Sequence, residues 1–126
     1  FFDYSSLPQK GPAGEERNDE EKRLFKNALT GMNVLYSYSL FRVLVIPDVP
    51  QGTKYEKRGW CFTELAISTT QNTIVNKSSR EVQDVIRKEG LPVLPEEFLE
   101  KFEDKVFTYR GDKETTLNIY NAFFEL

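Results

Sequence analysis

"FRVLVIP", residues Phe41–Pro47, is the clearest predicted strand in this sequence of 126 residues. It is a continuous run of β-branched residues and Leu without alternation, which is typical of a parallel strand covered on both faces. Pro47 and Pro50 end the strand, because proline cannot donate to a sheet ladder. The run therefore predicts the centre of a parallel sheet.

A long connection, a helix and a second short strand follow. "DVPQGTKYEKRG" is long for a compact domain, and loops of this kind often carry function. A helix is predicted to begin near Trp60 and to run through "CFTELAIST". "NTIVN", residues 72–76, predicts a short strand or turn. These elements would bring the loop and the start of the helix to one edge of the sheet.

Amphipathic helices are predicted on both sides of this region. In the first, Asn18 is the N-cap and Glu21 completes a capping box. Its inner face is a stripe with a 3.6-residue period, made of Leu24, Phe25, Ala28, Leu29, Met32, Leu35 and Tyr36. A later helix, "SSREVQDVIRKEG", has Ser78 and Glu81 in a capping box and ends at Gly90.

The remainder of the chain is predicted to be mostly helical. "LPVLPEEFLEKFED" predicts a helical turn that begins at a proline. Asp112 then caps a last helix, with Phe123 off its inner face. The predicted inner face consists of Leu117, Tyr120, Asn121 and Phe124. The aromatic residues of this region form either core or a partner surface.

The order of strands and helices predicts an α/β fold, a flavodoxin-like parallel sheet flanked by helices, in a single domain over residues 1–126. "FFDY", Phe1–Tyr4, predicts the end of another buried strand. Two or three strands are few for such a sheet, and the chain opens on Phe rather than Met, so a fragment that lacks its N-terminal strand is expected. Ligands of such sheets bind beyond the carboxyl ends of the strands, where the loops after "FFDY" and "FRVLVIP" would lie.

Composition excludes several classes of function. The net charge of −3 argues against a nucleic-acid surface. The absence of His excludes Ser-His or Cys-His catalysis within the chain and makes a zinc site improbable, and the single Cys excludes an internal disulfide. No apolar run reaches the roughly 20 residues of a membrane span. A cytoplasmic or other intracellular location, without a metal and without a membrane span, is expected.

The motif Trp60-Cys61-x-x-Glu64 has two interpretations on its chemistry alone. Glu64 is either an acid stabilised by the N-terminal dipole of a helix beside a buried Trp, or a carboxylate at the floor of a cleft with the indole as its wall. In the second case Glu64 would act as a general base or would stabilise a cation. Both interpretations are open at this point.

"RGWCFTEL" resembles the Trp-Cys-x-x-Glu-Leu box of Toll/interleukin-1 receptor (TIR) domains, which lies at the start of their third helix. "FFDYSSLPQKG" resembles their second strand and its loop, and "LFKNALTGMNVLYSYSLFRVLVIP" resembles their second helix and third strand. The combination "DYSSLPQ … RGWC" is similar to TIR-like proteins of protists. The resemblance covers roughly residues 1–68 and supports the flavodoxin-like expectation.

The resemblance implies an intracellular interaction or scaffold module within a larger assembly, which binds a protein partner or associates with itself. The alternative is an NAD glycohydrolase that cleaves the nicotinamide–ribose bond, with NAD as substrate and no cofactor. Glu64 would then be the catalytic carboxylate that stabilises an oxocarbenium-like ribose. Trp60 would line the pocket. The residues expected to contact ribose or phosphate are Asp3, Tyr4, Ser5 and Ser6.

Several residues of the loop and the box carry further alternatives. Gly59 replaces the Ser that is common in this box, and "KYEKR" would cover or fill the cleft. Cys61 is either a reactive thiol at a helix N-terminus or a buried small apolar side chain. The basic cluster that would meet a pyrophosphate, or lie in solvent, comprises Lys54, Lys57 and Arg58.

Overall fold

The computed structural model describes residues 7–125, without the side chains of Asn33 and Ser37. Within that range the chain forms five α-helices and one short 3₁₀ turn. Helix α1 covers Asp19–Ser37, α2 Gly59–Thr70, α3 Arg80–Glu89, α4 Pro95–Glu103 and α5 Asp112–Glu125, and the 3₁₀ turn covers Tyr55–Lys57. The described part of the chain is therefore an all-α fold.

The prediction of a flavodoxin-like parallel sheet is wrong for these residues, because they form no strand and no sheet. Within the described range, extended segments pair as two isolated parallel bridges, Val43 with Ile74 and Arg58 with Val106. The strand predicted at Phe1–Tyr4 lies outside the described residues.

Residues 41–47 are covered on one face, where the sequence predicted cover on both. Val45 is 3% exposed, whereas its neighbours Leu44 and Ile46 are 62% and 65% exposed. Side chains alternate between the two sides of an extended chain, so Val43 and Val45 contact the core and Leu44 and Ile46 point away from it, whereas Phe41 at the start of the segment is 43% exposed. The sequence conceals this alternation because both sets of positions are apolar.

Helix α2 is the central element, and it packs against α1 and α5. Eight of its twelve residues are buried, which is typical of a helix that is covered by other elements on most sides. One ring from α2, Phe62, stacks on Phe98 of α4 with centroids 5.2 Å apart, and Phe98 stacks on Phe102 at 5.2 Å and on Tyr120 of α5 at 3.4 Å. Among the described helices, none combines the length and apolar character that crossing a bilayer requires.

The helix ends follow the local signals of the sequence closely. At α1, Asn18 Oδ1 accepts from the Glu21 N–H and Glu21 Oε2 accepts from the Asn18 N–H, which confirms the capping box. Gly90 ends α3 with φ of 66°, which confirms the predicted stop. The predicted cap of α3 is wrong by one residue, because Ser79 and not Ser78 accepts from the Val82 N–H.

The predicted inner face of α5 is correct for Tyr120 and Leu117 and wrong for Asn121 and Phe124. Phe123 is 7% exposed and lies in the core, whereas Phe124, predicted to face inward, is 41% exposed. Asp112 is the first residue of the helix, inside the predicted cap. Two adjacent Phe residues fit the apolar period almost equally well, so packing against α2 decides which of them is buried.

Candidate functional site

The start of α2 is held by backbone pairing with the segment that follows α4. The Gly59 N–H donates to the Val106 oxygen at 2.9 Å, and the Val106 N–H donates to the Lys57 oxygen at 2.8 Å. The 3₁₀ turn Tyr55–Lys57 and the first turn of α2 are thereby joined into one unit. This unit sets the positions of Tyr55, Cys61 and Glu64.

Gly59 is required by the ring of Phe107, which lies where a side chain at position 59 would begin. A Cβ built on Gly59 overlaps three atoms of that ring. The Phe107 ring is itself packed edge-on against Phe102, with centroids 5.3 Å apart. Packing against Phe107 therefore explains why position 59 of "RGWC" is a glycine, whatever the function of the box.

We expect Gly59→Ala to lower the free energy of unfolding by about 1–3 kcal/mol, because the added methyl group must displace the Phe107 ring. Urea denaturation followed by the fluorescence of Trp60, the single Trp of the chain, measures the change. Gly31→Ala is the matched control: a Cβ there meets nothing within 4 Å, and Ala is expected to stabilise α1 by about 0.5–1 kcal/mol. Effects of the same sign at both positions would contradict the packing role of Gly59.

A buried ion pair lies beneath the 3₁₀ turn. Lys105 Nζ is 2.7 Å from Glu89 Oε2, and these side chains are only 3% and 8% exposed. The same ammonium donates to the Glu56 backbone oxygen at 2.8 Å and lies 4.1 Å from the centre of the Phe62 ring. Lys105 thus connects α3, the 3₁₀ turn and α2, with each of its contacts to a group removed from water.

The carboxylate of Glu56 forms a second, partly exposed ion pair with Lys88. Burial by itself favours the protonated form of Glu56, but the hydrogen bond from Lys88 and the nearby charge outweigh it and hold the pKa of that carboxyl below its ordinary value. The two ion pairs together hold the turn that carries Tyr55 against α3.

Two openings flank Tyr55 on the side of residues 43–51. The first is a cleft of about 230 Å³ lined by Tyr36, Val43, Leu44, Val45, Ile46, Tyr55, Glu64 and Leu65. The second is a wider hollow of about 580 Å³ lined by Ile46, Asp48, Val49, Pro50, Gln51, Tyr55, Arg58 and Cys61. Burial raises the pKa of the Tyr55 phenol well above its ordinary range, and the charges of Cys61 and Glu64 act in the same direction. Tyr55 is therefore a neutral hydroxyl close to both side chains.

Trp60 is not part of the cleft that Glu64 lines. The Trp60 indole N–H donates to Asp112 Oδ2 at 3.2 Å, on the α5 side of the helix, and Trp60 is absent from the lining of both openings. Glu64 lines the cleft, and Cys61 lines the hollow. The other predicted contact residues, Asp3, Tyr4, Ser5 and Ser6, lie outside the described residues.

The basic cluster is also divided. Arg58 lines the hollow and donates from Nε to the Thr53 oxygen at 3.0 Å. Lys54 and Lys57 are exposed and are absent from the lining of either opening. This part of the loop therefore presents one cation, Arg58, to the hollow.

Tyr55 is the residue of the site that sequence reasoning missed. It is the only aromatic residue of the connection "DVPQGTKYEKRG". A single aromatic residue among mostly polar ones is the feature from which its packing against the core could have been predicted. In the structure it is packed against the core and separates the two openings. Of the "KYEKR" stretch, Tyr55 lines the same cleft as Glu64.

The Glu64 carboxylate lies at the cleft, the Cys61 thiol lies at the hollow, and the neutral Tyr55 phenol lines both. Typical small-molecule pockets have volumes of about 300–1,000 Å³, so the cleft beside Glu64 is smaller than most of them. The adjacent hollow is larger but open to solvent. Comparisons with protein-family models, with curated proteins and with solved structures find no match for this chain.

Proposed function

We propose that this chain is a protein-interaction module whose binding face is an apolar strip that runs from the last turns of α1 to Ile46. The strip is a run of exposed large apolar side chains that follow one another along the chain: Val34, Tyr38, Leu40, Phe41, Leu44 and Ile46. Single exposed apolar residues are ordinary, but a concentrated group of them is typical of an interaction surface. This strip is the observation that carries the proposal.

The surroundings of the strip support the same function. Leu44 lies on the outer face of an extended segment, and Val75, on the neighbouring paired segment, is exposed beside it. An extended segment with one covered face offers both apolar side chains and backbone groups to a partner. The expectation of a scaffold module, made from the resemblance, is therefore retained as a proposal.

Site-specific photo-cross-linking tests this function. A benzophenone amino acid at position 40, in the strip, is expected to form discrete adducts with a protein partner or a second copy. The control is the same substitution at Leu99, an exposed leucine on α4. Adding Leu44→Arg is expected to remove the adducts at position 40. Identical adducts from both positions, or none from position 40, would contradict the proposal.

NAD cleavage is a second candidate, favoured by one observation: Glu64 lines a cleft beside residues 43–46. A carboxylate in such a place is suited to stabilise the oxocarbenium-like ribose that forms when nicotinamide leaves. Trp60 does not line this cleft, and the cleft's volume of about 230 Å³ is small for a nucleotide. For these reasons the interaction module is the preferred function, and the TIR-like resemblance stays a prediction.

Nicotinamide release measured with the protein and with Glu64→Gln decides whether this second activity exists. An enzyme that uses Glu64 is expected to lose nearly all turnover in Glu64→Gln while keeping its stability. Glu81→Gln, an exposed acid in the first turn of α3, is the control and should retain the full rate. Equal rates in Glu64→Gln and the parent, or no release by the parent, would exclude Glu64 as the catalyst.

A further inference from the structure

Among residues 7–125, the extended segment is paired along one edge, here called the closed edge, and unpaired along the other, here called the open edge. The Val43 N–H donates to the Thr73 oxygen at 3.0 Å, and the Val75 N–H donates to the Val43 oxygen at 2.9 Å. Each residue of an extended chain directs its N–H and C=O to the same side, and the next residue directs them to the other. The backbone groups of Leu44 and Ile46 therefore point away from this pairing, and within residues 7–125 they form no hydrogen bond.

Asn76 prolongs the closed edge by two further bonds. Its Nδ2 donates to the Val45 oxygen at 2.7 Å, and its Oδ1 accepts from the Val45 N–H at 3.0 Å. Because an amide side chain here takes the place of a backbone partner, the segment is held extended beyond its single bridge. Pro47 has the same parity as Val43 and Val45, so its missing N–H falls on the closed side and leaves the open edge intact.

We propose that the open edge pairs with the same edge of a second copy of this chain, antiparallel and about a two-fold axis at Val45. This inference rests on the proposed interaction function and names its partner. In this register Leu44 of each copy lies opposite Ile46 of the other, and the two residues exchange backbone N–H···O bonds. Two apolar cross-strand pairs and four backbone hydrogen bonds form at the centre of the contact.

Charge complementarity selects a second copy as the occupant. With Leu44 opposite Ile46, Arg42 of each copy lies opposite Asp48 of the other, so both ends of the contact carry an ion pair. The Arg42 guanidinium donates to the Ser39 and Phe41 backbone oxygens and has further N–H groups for a carboxylate. Shifting the register by two residues places Leu44 opposite either Leu44 or Asp48 and removes both ion pairs. The segment is thus complementary to itself in one register.

The side chains that would meet across the axis are already exposed in the single chain. Leu44 is 62% and Ile46 65% exposed, so neither has to leave the core for the two segments to pair.

Sedimentation equilibrium over a range of concentrations tests the pairing. The parent is expected to form a dimer, and Leu44→Arg is expected to stay monomeric. The control Leu99→Arg makes the same change at an exposed leucine of α4 and is expected to keep the dimer. Arg42→Asp and Asp48→Arg should each raise the dimer dissociation constant by about tenfold, because each places like charges opposite one another at both ends. The double variant Arg42→Asp/Asp48→Arg should recover the affinity of the parent.

Mixing the two single charge variants gives the sharpest result. In a heterodimer of Arg42→Asp with Asp48→Arg, both ends again carry opposite charges, so the mixture should dimerise more tightly than either variant alone. Charge variants that leave the affinity of the parent unchanged, or a mixture no tighter than its components, would overturn the proposed register. A parent that is monomeric but still forms position-40 adducts with another protein would overturn the self-pairing and leave the interaction function in place. A parent that forms neither a dimer nor adducts would overturn both proposals.

Discussion

Lys105→Met is expected to lower the free energy of unfolding by about 3–5 kcal/mol, the usual result of leaving a buried charge without its partner. Lys105 contacts the Glu89 carboxylate and the Glu56 backbone oxygen, and both Glu89 and Glu56 are buried. Without the ammonium, the Glu89 carboxylate is uncompensated in a site that is 8% exposed. Urea denaturation measures the loss.

Two further variants separate the missing charge from the missing packing. Lys113→Met removes an exposed ion pair with Glu103 and should cost less than about 1 kcal/mol. In Lys105→Met/Glu89→Met no charge is left unpaired, so much of the lost stability should return. If the double variant is less stable than Lys105→Met, the buried charge is not the cause of the effect.

Phe98→Ala is expected to lower the free energy of unfolding by about 3–5 kcal/mol, because it empties the centre of the aromatic core. The Phe98 side chain is fully buried, and its ring stacks on Phe62, Phe102 and Tyr120, which come from three helices. Its removal leaves a cavity that α2, α4 and α5 must close together. Denaturant unfolding of the variant gives the change in stability.

Phe124→Ala is the control for this prediction. Its ring contacts Tyr120 and Phe123 but is 41% exposed, so its truncation should cost much less than that of Phe98. Phe123→Ala, from the adjacent buried position, should lie between the two. A larger effect at Phe124 than at Phe123 would show that α5 packs with the face predicted from its sequence and not with the observed one.

Local signals were sufficient for helices whose ends depend on neighbouring residues. The Asn18 and Glu21 capping box, the start of α2 next to Trp60 and the stop at Gly90 are all interactions within a few residues. The choice between Ser78 and Ser79 failed because two adjacent serines offer the same cap. Local signals predicted the helix correctly, but they do not fix its first residue to within one position.

The candidate site was only partly predictable. Glu64 was singled out and does line a cleft, because its place in the first half of α2 follows from the start of that helix. The direction of Trp60 toward Asp112 could not be foreseen, since the two residues lie 52 positions apart. The roles of Tyr55 and of the Lys105–Glu89 pair likewise depend on segments brought together only by folding.

The sequence by itself determined the helices, the capping box of α1, the stop at Gly90 and an apolar extended segment at Phe41–Pro47, because these depend on interactions between near neighbours. Only the tertiary structure decided that this segment joins no sheet within residues 7–125, with Val45 in the core and Leu44 and Ile46 exposed. The physical reason is that an apolar side chain is favourable wherever it escapes water, so its identity does not say which element will cover it. In this chain helices cover one face of the segment, and its other face and open edge are the surface on which the proposed function depends.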